Sequence, residues 1–402
     1  MKILQICKKV PWPLTDGESL AIYGMAKGLY EEGHDLHLMA MNTSKHHRNE
    51  VDAKNRLLHY SSHLFVNVDN GLTHKKLIKN LFQSKPIHVT RLENDRFQIE
   101  LKHFLTSESF DIILFETVYP SIYLATVKVF SDAKIVIRCH NAEHVIWDRI
   151  SDTSPLWNKW YYRLQAKRIK TFEKENLNSV DYFIPLTDND QKIFEKINVT
   201  TPSEVIPIGL EIEKYNMLRR RDQCNNILKI CFIGSLDWLP NLEGIKWFLV
   251  QVWPYLISKH GSKVQLHIAG KNMPKEIIKL KLESVSIHGE VEDAIGFISD
   301  NDIMIVPLFA GSGQRVKVLE AMALGKTVIS TSVGIEGISA VDGYHFYKAD
   351  TSVKFITTIE ACMNQDHLLD AKTVNSIIKE KYNYKILSKK VAYVLDIRKK
   401  NK

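Results

Sequence analysis

Two glycines, two cations and a carboxylate fall within one short run of this chain. The segment FAGSGQRVKVLEAMALGKTVIS, Phe309 to Ser330, sets Gly311, Ser312 and Gly313 ahead of Arg315 and Lys317, and Glu320 follows three residues after the lysine. An apolar run, DIMIVPL, precedes the glycines, and a helical pattern follows them. They therefore occupy a strand-to-helix turn, where open α/β sheets bind ligands. Lacking Cβ atoms, Gly311 and Gly313 let backbone close on a ligand. The first turn of the helix, with Val318 and Leu319, presents N–H groups to an anion. Arginine grips a phosphate bidentately and lysine adds a point charge, so the set can hold a diphosphate without a metal. Glu320 has two readings. Its carboxylate can accept hydrogen bonds from neighbouring hydroxyls such as a ribose diol, or it is an acid favoured near a helix start and paired with Lys317 at i,i+3.

The elements that must position these residues alternate along the chain. KILQIC, DLHLMAM, HLFVNV, DIILFE, KIVIRC, DYFIPL and EVIPI read as strands of the first half, with helices over Glu18–Glu32, Arg91–Thr106 and Trp157–Leu177. LKICFIG, VQLHIAG, VSIHG, DIMIVPL, KTVIST and YHFYKA repeat the pattern in the second half. Near-continuous apolar runs separated by helices predict parallel sheets covered on both faces. The polar stretch NMLRRRDQCNN, residues 216–226, reads as a linker. The expected organisation is a first α/β domain over 1–215 and a second over 227–384, with a basic helix over 385–402 that can fold onto either.

Composition narrows the class. The chain has 402 residues, 45% of them hydrophobic, and a formal charge of +8, which suits anionic ligands. The five cysteines, Cys7, Cys139, Cys224, Cys231 and Cys362, form no CxxC pair and read as buried thiols. The N-terminus MKILQICKKVPWP has neither the length nor the order of a signal peptide, and the expected location is cytoplasmic. The basic residues are scattered and no nucleic-acid-binding module is present, which argues against a nucleic-acid partner.

Further candidates stand at strand ends. Asp16 and Gly17 precede the first helix: Gly17 allows close approach to a donor phosphate or acceptor, and Asp16 is an acceptor contact or an N-cap. Glu116 and Arg138, with Asn141, are acceptor-side candidates, Glu116 equally a helix cap; Glu143 reads as a cap. DND occurs at 188–190 and 300–302; the first opens a helix and the second lies in a turn, so neither reads as a metal site. The segments THKKLIKNLF and NKWYYRLQAKRIKTF combine apolar and basic residues, and each fits an anionic membrane surface or a helix packed on the sheet.

The run GSGQRVKVLEAMALGKTVIS resembles the signature of glycosyltransferase family 4, the retaining enzymes of the GT-B fold. KVPWPLTDGESLAIYGMAKGLYEEGHDLHLM, EVIPIGLEIEKY and ICFIGSLDWLPNLEGIKWF match further family segments in order, over nearly the whole chain. The resemblance implies two Rossmann-like domains facing a central cleft, the second binding a UDP- or GDP-sugar and the first a glycan or lipid-linked acceptor. It also implies retention at the anomeric carbon and no metal or other cofactor. It places His140 near the donor sugar, Gly289 and Glu290 at the base, and His140, Arg315 and Lys317 in the catalytic role. The chain departs from the pattern at Ser312, where the family carries a glutamate, and at Gly234–Trp238, which lacks the usual Arg and Lys. The alternatives are a silent nucleotide-sugar-binding subunit of a glycan-assembly complex and a sugar-nucleotide epimerase on the same fold.

Overall fold

The first-half pattern folds into a six-stranded parallel sheet: β1 Lys2–Cys7, β2 Asp35–Thr43, β3 Ser62–Val68, β4 Ile112–Glu116, β5 Lys134–Cys139 and β6 Tyr182–Pro185, in the order β3-β2-β1-β4-β5-β6. In the computed structural model, residues 1–215, 227–311, 313–363 and 367–400 are described. The linker reading at 216–226, Ser312 and Cys224 lie outside them. Side-chain alternation explains the continuous apolar runs. Leu4 and Ile6 pack on one face with Met39, Ile113, Phe115 and Ile137. Ile3 and Cys7 pack on the other with Leu36, Leu38, Leu114 and Val136. Both faces are covered, so both sets of positions are mainly apolar, and a buried polar residue such as Gln5 needs protein partners.

The first unit comprises Met1–Gly209, Ser312–Gln314 and Tyr384–Lys402. Its last helix, Tyr384–Lys400, adds Leu387, Val391 and Leu395 to the core under β1 and β2. It packs on the first helix, Gly17–Glu31. The approach depends on Gly28, where a Cβ would stand 2.5 Å from Ser388 Cβ. Tyr384 also donates its hydroxyl to Glu31 at 2.9 Å.

The second unit, Leu210–Gly311 and Arg315–Asn383, repeats the winding. Its strands are β7 Leu228–Ile233, β8 Val264–Ala269, β9 Val285–Gly289, β10 Ile303–Val306, β11 Thr327–Ser330 and β12 Tyr347–Lys348, in the order β12-β11-β10-β7-β8-β9. Read from the β9 edge, this is the same order as the first sheet. Each sheet therefore has one point where the winding reverses, between β1 and β4 and between β7 and β10. Such points leave a crevice at the strand ends.

Three readings of the sequence shift. EVIPI forms no ladder: Ile206 donates its N–H to Pro185 at 3.0 Å, and a single bridge joins Ser203 to Phe183. YHFYKA contributes only the two residues of β12. The helix expected from Arg91 starts at Asp95, because the Asn94 side chain caps it by accepting from the Phe97 N–H.

Candidate active site

The glycine turn follows β10 in the chain and precedes the helix Val316–Ala323. Gly311 has φ +124° and Gly313 φ +82°. A Cβ on Gly311 would stand 2.5 Å from Arg315 Nη2 and 2.9 Å from the Trp238 ring, so a side chain there would displace the guanidinium. Arg315 lies over Trp238, with Cζ 5.4 Å from the ring centroid, a cation–π contact that helps to fix the guanidinium. Trp238 follows β7, so the strands flanking the winding reversal supply both partners.

The helix Val316–Ala323 has no side-chain cap. Val318 and Leu319 donate their N–H groups to the Arg315 carbonyl, at 2.9 and 3.3 Å. Their side chains are buried. The expectation that Val318 and Leu319 contact a donor is therefore corrected: neither has a group to offer. The N–H groups that the helix start presents are those of Val316 and Lys317.

Glu320 is 3% exposed. Its Oε2 pairs with Lys317 Nζ at 2.9 Å, and its Oε1 accepts from the Tyr215 hydroxyl at 3.1 Å. Burial, then the Glu320 charge, push the Tyr215 phenol up, which keeps it a donor. The i,i+3 pair is thus formed, and a diol could reach this carboxylate only by replacing Tyr215 and Lys317. Gly289, at φ +68°, ends β9 and accepts from Gly270 N–H at 2.7 Å. Glu290 pairs with Lys271 at 3.4 Å.

In the first unit a buried polar network ties the ends of β4 and β5 to β1. The parallel register sets Glu116 beside Arg138 and Cys7. Glu116 Oε2 meets His140 Nε2 at 2.7 Å, and Oε1 accepts from Gln5 Nε2 at 2.6 Å. Arg138 Nη1 lies 3.5 Å from the carboxylate and donates to the Ala21 carbonyl at 2.9 Å. Tyr60 donates to Gln5 Oε1. Burial alone would raise the Glu116 pKa; Arg138 and His140 outweigh it and hold the group below the usual carboxylate range. Both Glu116 and Arg138 are 0% exposed. This corrects their assignment to the acceptor: no acceptor atom can reach them, and they orient His140 instead. Thr117, next in the chain, has φ 69°. A β-branched residue in the left-handed region is strained, and such strain gathers at functional sites.

Asp16 is the N-cap of the first helix, accepting from Ser19 N–H at 2.9 Å, and it pairs with Lys9 at 2.8 Å. Gly17 opens that helix, and Glu18 pairs with Lys8 at 3.0 Å. Burial opposes ionisation of Glu18, yet Lys8 and Lys9 bring its pKa to about 2. Asn141 donates to Glu143 Oε1 at 3.4 Å. A Cβ on Gly313, which groups with this unit, would stand 1.9 Å from Asn141 Oδ1. Glu143 does not cap by its side chain; its N–H donates to Glu173 at 2.7 Å, and its carboxylate accepts from Tyr119 at 2.8 Å. In the DND runs, Asp190 bonds the cap residue Thr187, and Asp302 Oδ2 accepts from Lys229 N–H. Reading the sequence missed Trp238, Tyr215, Gln5 and Tyr60. Each joins its partner across 55 or more residues, and no local pattern marks such a pairing.

Comparison with known proteins places this geometry. A family model described as Glycosyltransferase Family 4 matches residues 16–214, and one described as Glycosyl transferases group 1 matches residues 228–365. An uncharacterized 44.6 kDa protein in the cps region of Klebsiella pneumoniae is 26% identical over 372 residues, covering 88% of this chain and 89% of its own length. Among solved structures, Anabaena HepE in complex with UDP and glucose matches with a TM-score of 0.69 at 14% identity, over 99% of this chain and 100% of its own. The sucrose-phosphate synthase of Thermosynechococcus elongatus matches at 0.72 and 12% identity, over 99% of each chain. These structures share the two-sheet GT-B fold, and the family models match its two halves in order: the chain belongs to glycosyltransferase family 4.

Proposed function

We propose that the chain is a retaining, metal-independent transferase that moves a sugar from a UDP- or GDP-sugar to a glycan or lipid-linked acceptor in surface polysaccharide or glycoconjugate assembly. The observation that carries this reading is Arg315: a guanidinium held over Trp238 at an uncapped helix start, beside a glycine that leaves it room. Arg315, Lys317 and the N–H groups of Val316 and Lys317 face the diphosphate. Its negative charge grows as the glycosidic bond breaks, so fixed positive groups lower the barrier. Lys317 exchanges Glu320 for phosphate, and the freed carboxylate takes the ribose diol. His140, held by Glu116, bonds the donor sugar. The acceptor hydroxyl attacks from the face the diphosphate leaves, with no covalent enzyme intermediate. The complexes of HepE with UDP and with UDP-glucose support this donor class.

The acceptor is reached at the inner face of the membrane, to which the chain binds peripherally. The helices His74–Leu81 and Leu156–Leu177 meet through Asn80, Gln165 and Arg168. They leave Ile78, Phe82, Leu156, Trp157 and Trp160 exposed beside Lys75, Lys76, Lys79 and Lys159. Apolar and cationic groups on one surface suit an anionic bilayer. Among the described residues no helix is long and apolar enough to cross a membrane.

Calorimetric titration with UDP, GDP and UDP-glucose tests the donor site. Arg315→Ala is expected to weaken donor binding or turnover at least about tenfold, roughly 1.4 kcal/mol. Equal affinity in wild type and variant would reject the site. A donor-binding subunit without turnover is the second reading, favoured by the engagement of both Glu320 oxygens by protein groups. Acceptor-dependent release of the nucleoside diphosphate decides against it.

A further inference from the structure

A group of basic side chains in the first unit has no part in the donor chemistry. His88, in the short helix Ile87–Thr90, stacks on Trp147 with ring centroids 4.3 Å apart. Arg91 lies three residues on, half-buried, with Nε enclosed and without a hydrogen-bond partner. Lys8, just past β1, stands 4.6 Å over the Tyr119 ring and is the only one of these cations tied to an acid, Glu18, among the described residues. Lys45, just past β2, is exposed. Lys8, Lys45 and Tyr119 all follow the carboxyl ends of strands, β1, β2 and β4, where this architecture takes its ligands.

The balance of charge here is one-sided. Burial lowers the His88 pKa, and every charge that bears on it, from Arg91, Lys8 and Lys45, lowers it further, to about 3. The imidazole is therefore neutral. The neighbouring acids do not redress the excess. Glu18 is taken by Lys8. Glu143 accepts from Tyr119, and burial pushes its pKa up, towards the neutral form. Arg91, partly desolvated and paired with no acid among the described residues, carries a cost in free energy that a bound anion returns.

We infer that this is an acceptor subsite, and that the acceptor carries an oxyanion, a phosphate or a sugar carboxylate, held by Arg91 and Lys45 with His88 and Trp147 as its wall. The inference rests on the transferase reading for the word acceptor; the anion site itself does not. It commits the acceptor to a charged class, either a lipid-linked sugar diphosphate or a soluble acidic glycan.

Binding to the full chain, with UDP saturating so that the donor site is filled, tests it. The probes are farnesyl diphosphate, glucose 6-phosphate, methyl glucuronide and the neutral methyl glucoside. At least one anionic probe is expected to bind, about tenfold more weakly in Arg91→Ala and severalfold more weakly in Lys45→Ala, with most affinity kept in Arg91→Lys. The neutral glucoside is expected to bind no better than to Arg91→Ala. Arg91-dependent binding of farnesyl diphosphate alone identifies the lipid-linked source; the same dependence for either soluble anion identifies an acidic glycan. Failure of every anionic probe to bind overturns the inference, and so does binding untouched in both alanine variants. Lys45 is exposed, so its variant guards against loss through misfolding. UDP affinity, measured in the same experiment, separates the two claims: UDP bound and no anion bound removes the subsite alone, while no UDP bound removes the donor reading.

Discussion

The two sheets are wound alike and finished differently. At the winding reversal of the first, Glu116 is buried and bonded to Gln5 and His140, with Arg138 Nη1 beside it and Arg138 Nε and Nη2 buried without a hydrogen-bond partner. At the reversal of the second, a glycine turn leads into a helix without a side-chain cap, and Arg315 lies over the Trp238 ring. One topology thus supports two kinds of strand end. A closed network fixes the direction of a single side chain, His140, at the cost of burying charge. The turn of the second unit sets its cation against the Trp238 ring instead. A buried network and a ring-held cation answer differently to mutation, and mutation should separate them.

The largest effect is expected at Glu116. Glu116→Ala would leave Arg138 buried with only the Ala21 carbonyl as partner, and removing one member of a buried pair costs about 3–5 kcal/mol. Denaturant unfolding should show that loss. Arg315→Ala is the opposite case: it impairs donor binding while leaving the unfolding midpoint near that of wild type. A large stability loss in Arg315→Ala, or none in Glu116→Ala, would erase the distinction between the two kinds of strand end.

How far these ends were legible in the sequence follows the same line. The strands of both sheets stood out because they are covered on two faces, and Leu4 and Ile3 must both be apolar although they point oppositely. Gly311, Arg315 and Lys317 stood out because turn, cation and helix start are consecutive. EVIPI misled because an apolar run reports burial, not pairing; Ile206 and Ile208 are buried without a ladder. Glu116 and Arg138 misled in another way. A polar residue at a strand end reads as a ligand contact until the register shows that its neighbours, 22 and 111 residues away, already satisfy it. Only the fold supplies those neighbours.

A smaller effect concerns pH and the first unit alone. Burial, then His63 and Lys27, lower the His59 pKa from its ordinary 6.5 to about 4. Between those values the unfolded chain binds a proton that the folded chain does not, so stability is full above about pH 6.5 and falls as pH drops towards 4. The slope from this residue is at most about 1.4 kcal/mol per pH unit. His59 packs between Tyr23 and Tyr60, with ring centroids 4.9 and 4.4 Å away, so phenylalanine fits the same aromatic surroundings. His59→Phe is expected to flatten the decline when unfolding is measured at pH 7, 6 and 5. An unchanged slope would show that His59 is protonated in the folded chain.

The smallest effect sharpens the comparison of helix starts. Asp16 accepts from Ser19 N–H and so satisfies one donor of the first helix, whereas the helix after Arg315 has no such cap. Asp16→Ala should cost about 1 kcal/mol. Asp16→Asn keeps the cap and loses only the half-exposed pair with Lys9, worth a few tenths of a kcal/mol, about the lower end for surface pairs. If Asp16 serves only the helix, turnover in Asp16→Asn should match wild type while Asp16→Ala loses stability. If it also meets the acceptor, the two variants should lose turnover alike, and the ratio of activity loss to stability loss, measured in both, distinguishes a cap from a contact.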